Sequence, residues 1–158
     1  MLIGLPGSGK STWIKNFFAK GVSTQYAIIS SDDLLMQWAQ RDGVSYDEIH
    51  STHATEAGTA IYGKMLGCIK GRYSMIIDQT NMTKVIRESK LSAFPPEYKK
   101  IAVVLQVPMD VVLSRQQNHD RLMVGKTIPR EVTDLFAEQY EPPEETEFDE
   151  IIVVEYKQ

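Results

Sequence analysis

Gly4-Leu5-Pro6-Gly7-Ser8-Gly9-Lys10-Ser11 spells G-x-x-x-x-G-K-[ST], between a short apolar run, Met1 to Ile3, and a stretch from Thr12 onward that suits a helix. Average residue usage would put this pattern in about 0.5% of chains of this length, and the strand-before, helix-after context lowers that figure further. Glycines let the backbone turn where a Cβ would clash, so that consecutive N–H groups converge on an anion such as the β-phosphate of a nucleotide. The helix opening at Lys10 adds its positive dipole end. The spelling therefore predicts ATP contacts from Gly7, Ser8, Gly9, Lys10, Ser11 and Thr12. Lys10 would reach the β- and γ-phosphates, and the Ser11 hydroxyl would ligate Mg²⁺.

Outward from the loop, short apolar runs alternate with longer amphipathic segments, the signature of βα units and a parallel sheet. Strands are predicted at Leu2 to Leu5, Tyr26 to Ser30, Ser74 to Asp78, Lys100 to Val107 and Ile151 to Val154. These imply an α/β fold: a three-layer sandwich of about five parallel strands with helices on both faces. A first helix is expected over Lys10 to Ala19, and a short one over Asp33 to Ala39 capped by Asp32 or Ser31. Ser45-Tyr46-Asp47-Glu48 is a capping box that should start a long helix near Tyr46 running to about Ile69 and ended by Gly71. Its glycines at 58, 63 and 67 each cost about 1 kcal/mol against alanine, which predicts close packing on the sheet as compensation. Further helices are expected over Thr83 to Ala93, from Asp110 to about His119, and from Pro129 through Tyr140, where Pro142-Pro143 forces the exit.

At 158 residues the chain is expected to form one domain. Its 42% hydrophobic and 24% charged residues are ordinary for a soluble protein, and no apolar run approaches a membrane span of roughly 18 residues. No basic leader precedes the first apolar run, and the lone Cys68 excludes an internal disulfide and any multi-cysteine metal site, so a cytoplasmic setting is the expectation. The net charge of −4 is unevenly spread: residues 1 to 140 carry +2 and residues 141 to 158 carry −6. The body is thus near neutral and compatible with a basic groove, while the acidic Glu141 to Glu150 stretch reads as a solvated loop.

In an open parallel sheet, ligands collect at the carboxyl ends of the strands. After the second strand comes Ser30-Ser31-Asp32-Asp33, and after the third Asp78-Gln79-Thr80-Asn81. Phosphoryl transfer needs a group that takes the acceptor's proton, Mg²⁺, and positive charge on the developing anion. Asp32 reads either as that base or as a helix cap, with Asp33 able to cap in its place. Asp78 would hold a Mg²⁺-bound water or orient substrate, unless it is only a turn residue. Thr80 and Asn81 would hydrogen-bond the acceptor or form an Asx-type turn. Positive charge is sought from a lid at about residues 115–128, with Arg121 and Arg115 the candidates for the γ-phosphate and Lys126 a weaker one. His50 and His53 share one helix face but have no third ligand at a matching position, so a packed or surface pair is expected.

GLPGSGKSTW, SSDDL, DQTNMT, the Arg115 to Arg121 segment, GKTIP and FDEIIVV together resemble the polynucleotide 5′-kinase branch of P-loop kinases. That resemblance implies ATP and Mg²⁺, Asp32 as general base, lid arginines at Arg115 and Arg121, and a 5′-hydroxyl end of RNA or DNA as acceptor in nucleic-acid repair. The few residues before the phosphate loop make the first strand unusually short, so a trimmed chain, or one that is part of a longer repair protein with a ligase or phosphatase, is the expectation. Two departures stand out: the phage-type enzymes carry an arginine three residues after the base, where this chain has Leu35, and their lid arginines are four apart rather than six. The wording is also similar to the P-loop domain of heterogeneous nuclear ribonucleoprotein U, which implies a non-catalytic, nucleotide-gated RNA-binding module. That domain lacks a carboxylate matching Asp32. A small-molecule kinase acting on a nucleoside or sugar is the alternative within the enzyme class.

Overall fold

Leu2 and Ile3, adjacent in the chain, face opposite cores, and this alternation organises the molecule. The computed structural model describes residues 1–21 and 25–157. The five strands are β1 (Leu2–Ile3), β2 (Tyr26–Ile29), β3 (Ser74–Ile77), β4 (Ile101–Gln106) and β5 (Glu150–Glu155). All pairings are parallel, in two ladders ordered β1-β4-β5 and β2-β3. The ladders meet where Gly4 N–H donates to the Thr80 carbonyl at 3.1 Å and the Asn81 amide donates to the Leu2 carbonyl at 2.7 Å. The order across the layer is therefore β2-β3-β1-β4-β5.

Period-two alternation gives the layer two apolar faces. Leu2, Ile76, Val103 and Leu105 pack on Trp13, Ile14 and Phe17 of α1 (Lys10–Ala19). Ile3, Ala102 and Val104 turn the other way, onto Leu91 of α4 (Lys84–Leu91) and Phe136 of α7 (Arg130–Glu138). On that side Ile29 and Ile77 meet Ile61 and Met65 of α3 (Tyr46–Lys70). This is the expected three-layer α/β arrangement.

Four expectations change. Helix α2 spans Ser31–Asp42, longer than Asp33 to Ala39, and its cap is Ser30, whose hydroxyl accepts from Asp33 N–H at 3.2 Å. Packing of α2 on α3 through Leu35, Ala39, Ile49 and Ala57 extends it past its local signals. The α3 glycines do not pack closely: a Cβ added at Gly58, Gly63 or Gly67 would meet nothing within 4 Å. The helix after β4 divides into α5 (Met109–Gln116) and α6 (His119–Met123), with Asn118 capping the second. Finally, the acidic stretch is not only a solvated loop, because Glu147 is buried against Arg87 and Phe148 joins the core.

Candidate active site

The phosphate loop leaves β1 with Gly7 at φ +91° and Gly9 at φ +95°, a region that L side chains rarely adopt. A Cβ at Gly7 would also approach the Val112 carbonyl to 3.1 Å. Helix α1 then starts at Lys10 with no side-chain cap and no acidic residue in its first turn, so its leading N–H groups are left for an anion. Lys10 donates to the Gly4 and Leu5 carbonyls at 2.9 and 3.0 Å. Burial pulls its ammonium down to about 8; Asp78 and Asp32 oppose that shift, while Lys126 and Arg121 add to it. The Ser8 hydroxyl is buried without a partner among the described residues. A cradle of positive-φ glycines, a desolvated cation and an orphaned hydroxyl together fit a bound triphosphate.

This loop forms one wall of a cleft of about 1060 Å³. Ser11, Thr12, Asp32, Asp33, Asp78, Thr80, Arg115, Arg121 and Lys126 also line it. The topology thus brings the ends of β1, β2 and β3 to one cavity, as expected for a parallel sheet.

Asp32 stands in the first turn of α2, relieved of capping by Ser30. Its Oδ1 accepts from the Tyr46 hydroxyl at 2.8 Å and its Oδ2 from Lys126 Nζ at 2.5 Å. Lys126 Nζ also lies 4.4 Å from the centroid of the Tyr46 ring. Burial works to raise the Asp32 carboxyl, but the charge and hydrogen bond of Lys126, the Tyr46 hydroxyl and the charge of Lys10 outweigh it and leave it below its ordinary value. Tyr46 is driven far above its ordinary value, first by burial and then by Asp32, so it remains a donor. Asp78 moves the other way: burial raises it, Lys10 opposes, and Asp33 and Asp32 add to the rise. Two carboxylates in one cleft with oppositely displaced titrations are suited to different tasks.

Ser11 offers a hydroxyl and Asp78 a carboxylate to the cleft, oxygen donors of the kind Mg²⁺ takes. Among the described residues no group of three or more His, Cys, Asp or Glu is arranged to hold a metal. A metal here would draw most of its ligands from phosphate and water.

The two arginines separate. Arg115 donates to the Gly7 carbonyl at 3.4 Å and lies 5.2 Å from the Tyr156 ring centroid, engaged beside the loop. Arg121, on α6, has a buried Nε with no partner among the described residues, and its charge is felt at both Lys10 and Tyr46. The segment beyond it is tied to the start of α3. Tyr46 and Asp47 N–H groups donate to the Val124 and Gly125 carbonyls at 3.0 Å each, and Thr127 donates N–H at 3.1 Å and its hydroxyl to the Asp47 carboxylate.

Asn81 is not brought into the cleft. It is 0% exposed at φ +51°, with its amide donating to the Leu2 and Gln79 carbonyls, so it joins strands and does not face an acceptor. Thr80 lines the cleft while its carbonyl holds Gly4. His50, exposed, stacks on Tyr46, and half-buried His53 pairs with Thr52 and meets the Trp38 edge, within the expected range of a packed or surface pair. Tyr46 was missed as a site residue. Its only sequence signal is the capping box, which marks a helix start and says nothing of where its hydroxyl points.

Solved structures with similar folds include a protein of Chloroflexus aurantiacus designated a kinase (TM-score 0.69, 18% identity, covering 98% of this chain and 82% of that one). A sugar kinase of a Janibacter species matches at TM-score 0.58 and 20% identity, over 98% of this chain and 82% of its own. A gluconokinase of Sinorhizobium meliloti matches at TM-score 0.57 and 16% identity, over 99% and 81%. These likenesses are of fold, and the fold is that of P-loop kinases. The model of the AAA domain family matches residues 1–143. That match takes in the phosphate loop and strands β1 to β4, and the chain belongs to the AAA domain family.

Proposed function

We propose that this chain is a kinase domain that moves the γ-phosphate of ATP to an alcohol of a small, sugar-like acceptor, with Asp32 as general base. The observation that carries the reading is Asp32 itself. It is a carboxylate kept ionised by Tyr46 and Lys126, facing the same cleft as the phosphate loop. In the reaction the acceptor O–H gives its proton to Asp32, its oxygen bonds to the γ-phosphorus, and the bond to the β–γ bridging oxygen breaks to release ADP. The transition state is loose, so orienting the hydroxyl matters more than a strongly basic carboxylate. Ser11 and Asp78 would hold Mg²⁺, which would supply charge neutralisation to the phosphates. Lys10 holds the β- and γ-phosphates, and Arg121, the arginine with an unpartnered Nε, reaches the transferring group from a lid over residues 115–128. Arg115 serves the loop end of the nucleotide.

The small acceptor is favoured over a 5′-hydroxyl end by the names of the fold's solved relatives, two of which are kinases of sugar chemistry. The polynucleotide reading keeps one specific support, the spelling of SSDDL and DQTNMT. Labelled ATP offered with sugars and sugar acids, nucleosides and 5′-hydroxyl oligonucleotides separates them. Transfer to a small acceptor upholds the proposal, and transfer to oligonucleotides alone replaces it with the second. Hydrolysis with no transfer leaves the nucleotide-gated module.

A further inference from the structure

Lys90 is a cation in the cleft wall that the scheme above does not use. It sits in the last turn of α4 and lines the cavity with Gln79, Thr80 and Ile86. Its Nζ donates to Asn81 Oδ1 at 2.5 Å, a neutral acceptor. Among the described residues no carboxylate lies within 4 Å of it, whereas Lys126 in the same cleft is paired with Asp32. Asn81 cannot follow a moving lysine, because its amide is held by the Leu2 and Gln79 carbonyls at 2.7 and 3.1 Å in a fully buried position. The ammonium is therefore held at a fixed point. Burial draws it down to about 8, and no anion offsets that shift. A helix C-terminus favours a lysine, but an exposed one would serve equally well without desolvation. A fixed, partly desolvated cation without a counter-charge on a cleft wall is what binds an anionic ligand group.

We propose that Lys90 is the anion-recognition residue of the acceptor subsite, so that the acceptor carries a carboxylate or phosphate besides the hydroxyl that is phosphorylated. This rests on the kinase reading above and narrows its substrate class from polyols to their acids or phosphate esters.

Calorimetric titration of the full chain with gluconate against glucitol, and with adenosine 3′-monophosphate against adenosine, tests it without requiring turnover. The expected result is that the anionic member of at least one pair binds about tenfold or more tighter than its neutral analogue. The responding pair tells carboxylate from phosphate. In K90M that preference should vanish while ATP affinity stays within error and the thermal midpoint falls only by what the lost hydrogen bond to buried Asn81 costs, and K90R should keep part of the preference. Equal binding within both pairs, no binding by any of the four compounds, or a preference that survives K90M would each overturn the assignment. If K90M loses its fold, K90R and K90Q carry the same comparison. Phosphate transfer, measured separately on the same compounds, tests the kinase reading, so the two can fail independently.

Discussion

The Arg87–Glu147 and Lys126–Asp32 pairs each tie together segments distant in the chain, yet their surroundings differ throughout. Arg87 and Glu147 have side chains 0% and 2% exposed and meet through two hydrogen bonds of 2.9 Å. The remaining guanidinium protons go to the carbonyls of Asn81, Met82, Glu141 and Pro142. Every donor has an acceptor, and the pair fastens the turn after β3 to the segment before β5. Lys126 and Asp32 are 17% and 55% exposed and share a single contact. Each Asp32 oxygen takes a single donor, from Tyr46 or from Lys126, so the carboxylate that lines the cleft keeps unused acceptor capacity. Complete satisfaction makes a clasp, and incomplete satisfaction beside a cavity makes a reactive group.

The comparison breaks most severely at Asp32. D32N should lower turnover by about 10²- to 10⁴-fold, the usual span for a positioned acid–base group, with ATP affinity and thermal midpoint unchanged. Steady-state kinetics beside an ATP titration checks this, and wild-type turnover would remove Asp32 from the base role. R87M should do the converse. Stranding a buried Glu147 costs about 3–5 kcal/mol, which for a chain of this size lowers the melting midpoint on the order of 10 °C. The R87M/E147Q double variant, with no charge left to strand, should recover part of that loss in the same melting experiment.

The wild-type clasp also has a pH signature. Burial alone would raise the Glu147 carboxyl, but the Arg87 hydrogen bond, the Glu144 N–H and nearby positive charge hold it below its ordinary value. The folded state therefore binds fewer protons than the unfolded one. Its contribution is present above the unfolded carboxyl range and lost as pH falls through the depressed folded value. The double variant should show a shallower acid loss of stability than wild type.

A smaller effect is expected at the lysine of the second pair. K126M removes the cation that holds the Asp32 carboxyl down. The acidic limb of the kcat/KM profile should then move to higher pH, with little change in melting. An unmoved limb would mean that Asp32 is not the group being titrated. Smallest of all is G63A, on the helix that carries Tyr46 but far from both pairs. With nothing within 4 Å of the added Cβ, it should gain about 0.5–1 kcal/mol, a rise of roughly 2–3 °C, and leave kinetics unaltered.

Strand positions and the loop were legible because each rests on local chemistry: apolar runs of strand length, and glycines whose φ values only they adopt readily. Asp32 was legible as the residue after β2, but not its freedom from capping, which depends on Ser30 taking that task. The packing expected of Gly58, Gly63 and Gly67 was wrong, since propensity reports the helix and not what stands opposite it. Asn81 looked like a cleft residue by its place after β3. Its side chain instead turns to Leu2, 79 positions away in the chain, a partner that no local signal names.

Sequence alone determined the phosphate loop, the alternation of strands and helices, and the placing of acidic residues at strand ends, because these follow from backbone conformation and spacing within a few residues. Tertiary structure decided which groups surround Asp32, which arginine keeps an unpartnered nitrogen, and which part of the acidic stretch is buried. Those outcomes depend on Tyr46, Lys126 and Arg87 meeting partners from 14 to 94 residues distant. Hydrogen bonds and ion pairs act over a few ångströms, and only the folded chain sets which side chains come that close.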